Sequence, residues 1–311
     1  MKITLVHNPK AGEGQAAKGI LRLMHEAGHE VKHRSIKKDW EKLLQEPADL
    51  VVAAGGDGTV RRVALAAAQH CLPFAAIPIG TANNIAKSVG VVGEAAELIE
   101  SWSNSERQAQ PFDLGEAVAP WGTDRFVEGV GSGLVADLIG REEEISAEAT
   151  LLGRATDRAL HLLCELASEA PLRSWEIHAD GKDLSGDYFA VEVMNIRFVG
   201  PNLPLAPKAF PGDGRLDVVL LGKADRKPLL AYLESRLHLA SGPLPELRVE
   251  RAKKIEILAP KGVRWHLDDR NWPSAEPRAE KTKLTVRCLP GALTFVAAPA
   301  AAKTPASAGA G

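Results

Sequence analysis

The segment DLVVAAGGDGTVRRVALAAAQ, residues 49–69, sets one carboxylate, Asp57, among three glycines and a threonine, between an apolar run and a helical pattern. Gly55, Gly56 and Gly58 permit backbone conformations and close approach that side chains forbid. The helix N-terminus beyond them offers N–H groups and partial positive charge to an anion. A phosphate suits such a turn, but Asp57 opposes it by roughly several tenths to a few kcal/mol, depending on burial. A Mg²⁺ bridging Asp57 and phosphate oxygens converts that repulsion into attraction. The alternative is a plain strand-to-helix turn with Asp57 as N-cap. Thr59 either caps the helix or donates to phosphate.

Two more loops repeat the device. In VHNPKAGEG, Gly12-x-Gly14-x-x-Ala17 formally matches the dinucleotide pattern, yet no acidic residue closes KHRSIKK, where a ribose ligand is expected. Asn8-Pro9-Lys10 instead suggests a phosphate loop with Lys10 as its cation; a plain surface turn is the alternative. In PIGTANN, Gly80 and Thr81 end a strand, and Asn83 or Asn84 is placed to bond a base or ribose. No G-x-x-x-x-G-K-[ST] occurs in the chain, which excludes a Walker-type site.

These loops need strands and helices to present them. KITLV, HEVKHRSI, DLVVAA and PFAAIPI read as strands, and GQAAKGILRLMHEAG, DWEKLLQ, VRRVALAAAQ, NNIAKSVG and EAAELIESW as helices. Continuous apolar strands alternating with helices indicate a parallel sheet covered on both faces, whose ligands sit outside the carboxyl ends of the strands. From about residue 111 the rhythm changes to short runs bounded by Gly, Pro and Asp, such as DYFAVEVMN, RLDVVLL and GVRWHLD, which predict an antiparallel, sandwich-like domain. Two helices interrupt it near 153–169 and 226–239, and GALTFVAA is one last apolar strand.

The totals narrow the class. The chain has 311 residues, room for two domains, and a formal net charge of −2, which excludes a general nucleic-acid binder. Cys71, Cys164 and Cys288 lie far apart and read as reduced, buried thiols of a cytosolic protein. No run approaches the ~18 to 20 apolar residues of a membrane span, so membrane contact is expected to be peripheral. The tail AAPAAAKTPASAGAG reads as disordered. The histidines show no metal spacing and read as structural or surface groups.

Taken together, NPKAGEG, GGDGT, PIGTANN, MNIRFVG and APKAFPGDGRLDVVLL resemble the diacylglycerol kinase catalytic family, which includes bacterial lipid kinases and sphingosine kinases, with NAD kinases as distant cousins. The resemblance covers roughly residues 2–297. It implies a three-layer nucleotide-binding α/β domain over 1–110, completed by a returning strand at 290–299. A β-sandwich-like acceptor domain over 111–289 and a disordered tail over 300–311 follow. It also implies an ATP site between the two domains and phosphoryl transfer to a lipid hydroxyl at the membrane surface, with Mg²⁺. A cytoplasmic enzyme, peripheral at the inner membrane face, is the expected setting, with a homodimer as candidate assembly. Carried over by residue, Gly55, Gly56, Asp57, Gly58, Thr59 and Thr81 touch ATP, with Ser35 a candidate at the end of the second strand. Asp213 holds a structural Mg²⁺ with the carbonyls of Phe210 and Arg215, and Asp217 lies nearby.

The chain departs from the family pattern at four places. Arg61-Arg62 stand where Asn-Glu is common, Asn84 replaces an Asp, and Val135 replaces another. The D-G-E whose Glu serves as general base reads Asp268-Asp269-Arg270, and an arginine cannot accept a proton. Asp269 is the favoured substitute base and Asp268 the second, since on a continuing strand only one of them faces the cleft. A missing base costs about 10² to 10⁴ in rate. A nucleotide- or lipid-binding homologue that has lost turnover, and a soluble-substrate kinase of the NAD-kinase type, are the alternatives. The loop RFVGPNLPLAPKAFPG carries Phe198, Leu203, Leu205 and Phe210, which form either a lipid-facing rim or ordinary packing.

Overall fold

The structure is a computed structural model and describes residues 1–11, 16–91, 93–103, 108–141, 155–238, 242, 244–274 and 280–297. Gly12 and the tail at 300–311 lie outside the described residues. The chain divides into two compact units, Met1–Phe112 with the segment from Gly291, and Asp113–Pro290.

The first unit is an α/β domain on a parallel sheet. Strands β1 (Lys2–His7), β2 (Glu30–Ser35), β3 (Leu50–Gly55) and β4 (Phe74–Pro78) pair in the order β4-β3-β1-β2. All residues of β3 are buried, the mark of a strand covered on both faces. The end of the last strand, β16 (Thr282–Ala297), joins β4 in parallel at Phe295 opposite Phe74. Phe295 meets Phe74 edge-on at 5.6 Å and stacks on Phe112 at 5.8 Å, so aromatic packing seals that edge. Helix α1 (Ala16–Glu26) buries Ile20 and Met24. Helix α2 (Asp57–Gln69) buries Val60, Val63, Ala64 and Ala67, a stripe at helical spacing. Its first residue is Asp57 rather than Val60, so the glycine turn is already the helix's first turn. Helices α3 (Asn84–Ser88) and α4 (Ala95–Ser103) complete this unit. The expected DWEKLLQ helix is a 3₁₀ segment over Glu41–Gln45.

The second unit is β-rich and antiparallel. One ladder joins β12 (Arg248–Ala252), β11 (Leu216–Gly222), β10 (Gly186–Met194), β7 (Gly129–Ser132), β14 (Trp265–Leu267) and β15 (Arg270–Asn271). Another joins β8 (Arg173–Ala179), β13 (Lys254–Ala259) and the start of β16. Residue alternation along β10 sorts two cores. Val191 and Val193 pack with Ile177, Ile257, Trp265 and Val286 from both ladders, whereas Ala190 and Met194 pack with Leu134, Leu163 and Leu233 from helices. Those helices are α5 (Leu134–Ile139), α6 (Ala155–Glu169) and α7 (Arg226–Leu237). Cys288 is buried and Cys164 half-buried, but Cys71 is exposed, which corrects the expectation of three buried thiols. Cys71 follows α2 at φ +53°, in the turn that leaves the helix.

A buried polar pair crosses three strands of the first ladder. Register places Glu192, Gly131 and His266 side by side on β10, β7 and β14. His266 Nε2 lies 2.7 Å from Glu192 Oε2 and Nδ1 lies 3.0 Å from the Asp268 carbonyl. Both ring nitrogens therefore face acceptors, and an imidazolium satisfies both. Burial opposes that charge, but Glu192 and the Asp268 carbonyl outweigh it and raise the His266 pKa above its ordinary value. The pair meets above Gly131 because that residue has no side chain: a β-carbon there would overlap the Glu192 carboxylate. Gly131→Ala is expected to lower unfolding free energy by about 3 kcal/mol, as when a buried ion pair is broken, read from the urea midpoint at constant slope.

Candidate active site

In the first unit, β4, β3 and β1 are sheet neighbours, so the loops leaving their carboxyl ends lie side by side. The β3 and β4 loops touch backbone to backbone: a β-carbon at Gly56 would sit 3.3 Å from Gly80 Cα, and one at Gly80 would overlap Gly56 outright. Ile79 donates its N–H to the Gly55 carbonyl at 3.1 Å. Asp57 Oδ1 accepts the Ile85 N–H at 3.0 Å, which latches α2 to α3. Asn83 takes φ +53°; its Oδ1 accepts the Gly80 N–H at 3.0 Å and its Nδ2 donates to the Gly80 carbonyl at 2.8 Å. That side chain shapes the loop, while Thr81 is exposed and able to meet a ligand. Thr59 is buried beneath Gly55, whose missing β-carbon would lie 2.6 Å from Thr59 Cβ. Thr59 therefore fixes the turn from below.

The β1 loop is shaped by its own asparagine. Asn8 Oδ1 accepts the Lys10 N–H at 3.0 Å, and the Asn8 N–H reaches the Ala54 carbonyl at 2.9 Å, tying this loop to β3. Lys10 is exposed. Ser35 Oγ accepts the Lys37 N–H at 3.3 Å at the end of β2. Arg62 lies 3.8 Å from Glu41 and its guanidinium sits 5.9 Å over the Trp40 ring, which accommodates a cation in the first turns of α2. Glycine backbone, a helix N-terminus, Lys10 and the half-buried carboxylate of Asp57 thus stand along one edge of the sheet.

In the second unit the base candidates separate. The strand ends at Leu267, and Asp268 takes φ +53°. Its buried carboxylate accepts N–H groups from Val127, Glu128 and Gly129 at 2.7 to 3.2 Å. Asp268 is therefore a structural anchor for the start of β7, which corrects its place among the bases: its oxygens are spent on backbone donors. Asp269 is exposed. Arg270 forms an ion pair with Asp124, a residue that sequence spacing gave no reason to single out. Val135 is buried in α5. Of the four apolar rim candidates, Leu203 and Leu205 are buried, Phe198 is half-buried and Phe210 is exposed.

Asp213, Phe210, Arg215 and Asp217 lie on one loop and the strand after it, but the Asp213 carboxylate and the Phe210 carbonyl are engaged in a way that does not fit a divalent cation. Asp213 is paired with Arg251, and the Phe210 carbonyl accepts the N–H groups of Gly212 and Asp213. Among the described residues no group of three or more His, Cys, Asp or Glu side chains is arranged to hold a metal ion. Asp217 and Arg251 line a pocket of about 270 Å³ with Pro207, Pro245, Leu247 and Val249. Burial, with help from Asp213 and against Arg251, pushes the Asp217 carboxyl up to about 6.

Two family models match the chain: a diacylglycerol kinase catalytic domain over residues 2–117, and a YegS C-terminal NAD kinase beta sandwich-like domain over 140–297, just over half of the 311 residues. A protein of Pseudomonas aeruginosa named probable lipid kinase YegS-like is 28% identical over 94% of this chain and 93% of its own length. A Mycobacterium tuberculosis protein named diacylglycerol kinase is 26% identical over 86% and 88%. A solved structure titled as a putative diacylglycerol kinase from Bacillus anthracis shares the fold, with a TM-score of 0.74 at 22% identity over 96% of each chain.

The raised Asp217 pKa has a defined sign. The folded state favours the neutral carboxyl, so ionisation opposes folding once pH exceeds the unfolded value of 3.8, and the loss is complete above about 6. Urea titrations at pH 4 and pH 7 are expected to show Asp217→Asn gaining stability over the wild type as pH rises.

Proposed function

The chain belongs to the family defined by the YegS C-terminal NAD kinase beta sandwich-like domain, here joined to a diacylglycerol kinase catalytic domain, and from that premise we propose that it is an ATP- and Mg²⁺-dependent kinase that phosphorylates a lipid hydroxyl. The observation that carries the reading is the backbone contact of Gly56 with Gly80, latched by Asp57. Two loops without side chains at their meeting point, beside a helix N-terminus, leave room for phosphates and supply N–H donors. Lys10 adds a mobile cation for the same anion. Asp57 is the carboxylate that would hold Mg²⁺, in keeping with that ion's preference for one or two carboxylates plus substrate phosphates. When bound, the ion neutralises charge on the phosphate oxygens. Asp57 already accepts one backbone N–H, which holds its carboxylate in place before any ligand arrives.

The transfer itself balances simply. The acceptor oxygen forms a bond to the γ-phosphorus, the bond to the β,γ-bridging oxygen breaks, and ADP leaves. The acceptor proton passes to a carboxylate or to water. Asp269 is the candidate for that proton, because Asp268 is occupied and Arg270 cannot take it. The loose transition state makes positioning weigh more than the base. No helix among the described residues is long and apolar enough to cross a membrane, and a lipid presented at a cytoplasmic membrane surface suits a peripherally bound enzyme.

A second reading, a homologue that binds nucleotide with little turnover, is favoured by the Arg270–Asp124 ion pair at the base position. Labelled ATP incubated with diacylglycerol, monoacylglycerol, phosphatidylglycerol and sphingoid bases separates the two. The lipid-kinase reading expects label in one of these lipids and loss of about 10² or more in kcat for Asp57→Asn. ATP binding with no lipid labelled, and transfer appearing only in Arg270→Glu, is the outcome of the second reading. Gly80→Ala, which forces the two loops apart, is expected to weaken ATP binding on the order of tenfold, equivalent to about 1.4 kcal/mol, by fluorescent-nucleotide titration.

A further inference from the structure

The loop from Phe210 to Asp217 is where the family resemblance implies a structural divalent cation, and here the Asp213 carboxylate and the Phe210 carbonyl already have partners. Asp213 Oδ1 accepts the Arg215 N–H at 3.0 Å, and Oδ2 binds the Arg251 guanidinium. The Phe210 carbonyl accepts N–H groups from Gly212 at 2.8 Å and Asp213 at 3.3 Å. Gly214, at φ +73°, donates its N–H to Asp113 Oδ2 at 2.7 Å, and the Asp113 N–H returns to the Pro211 carbonyl at 3.3 Å. The turn is thus closed by backbone donors and one guanidinium.

Arg251 is delivered to this position by the fold. It stands on β12 directly opposite Asp217 of β11, two residues beyond Arg215. A divalent cation requires a shell of oxygen lone pairs around it. It cannot share Asp213 with a fixed positive group at contact distance without strong repulsion. A guanidinium, always charged and planar, meets the same carboxylate through directed N–H donors and needs no further ligands. The Asp213 side chain is 23% exposed and that of Arg251 49%, so water partly screens the pair and its two-sided geometry, with Oδ1 held by the Arg215 N–H, sets the carboxylate's position.

We propose that Arg251 clamps the 210–217 loop in place of a divalent cation, so that the second unit folds without magnesium. This goes beyond the phosphoryl-transfer reading and holds whether or not the chain phosphorylates a lipid.

The test uses full-length, nucleotide-free protein, with hydrogen exchange of the peptide covering 208–218 measured in EDTA and in MgCl₂. The wild-type loop is expected to exchange equally in both, whatever magnesium does elsewhere in the chain. Arg251→Met is expected to speed exchange of this loop by roughly threefold to tenfold through easier local opening. Should Arg251→Met unfold globally, Asp213→Asn supplies the same readout with Arg251 in place: faster loop exchange that magnesium does not reverse. Magnesium-dependent protection of the wild-type loop that Asp213→Asn abolishes would overturn the proposal. So would loop exchange in a folded Arg251→Met that matches the wild type.

Discussion

The approach of Gly56 to Gly80 constrains everything around it in the first unit. Adjacent parallel strands fix β3 and β4 side by side, and their outgoing loops can share one edge only if neither carries a side chain there. The contact then needs a tie, and Asp57 supplies it by reaching from α2 to the Ile85 N–H of α3. Asn83 adds a second tie by closing Gly80 upon itself. The carboxylate proposed to meet a metal is therefore also the one that aligns the loops, which answers why an acid stands in an anion-binding turn. Its position costs little, because a helix N-terminus stabilises negative charge.

The second unit handles charge differently. Three of its buried acids have partners of their own: Glu192 with His266, Asp268 with three backbone amides, Asp113 with Gly214. A buried carboxylate with such partners holds strands in register, and it is thereby withdrawn from proton transfer. The same logic separates neighbours of identical type. Asp268 and Asp269 differ only in that one turns inward at a positive φ and the other stays exposed.

The architecture was largely legible in sequence, because burial leaves periodic marks. The unbroken apolar run at Leu50–Gly55 announces a doubly covered strand, and short runs bounded by Gly, Pro and Asp, such as the one that becomes Gly186–Met194, announce antiparallel ladders. Helix α2 starts three residues before its apolar pattern does, because Asp57, Gly58 and Thr59 have poor helix propensity while a tertiary tie to Ile85 holds the first turn. The alternation invoked to choose between Asp268 and Asp269 requires a strand that continues, and this one stops at Leu267, so the burial of Asp268 follows from its positive φ instead. Long-range pairs were invisible for a simpler reason: Arg270 and Asp124, or Arg251 and Asp213, are ion pairs between residues far apart in the chain, which no local spacing records.

The central claim is that Asp57, held between the two glycine loops, stands beside a metal-bound phosphate. A crystal structure with a non-hydrolysable ATP analogue and Mn²⁺ tests it most directly, because manganese is located by its anomalous signal. The account predicts phosphates against the Gly56–Thr59 turn and a manganese peak within coordination distance of an Asp57 oxygen. Nucleotide bound away from that turn, or manganese bound with no contact to Asp57, would contradict it.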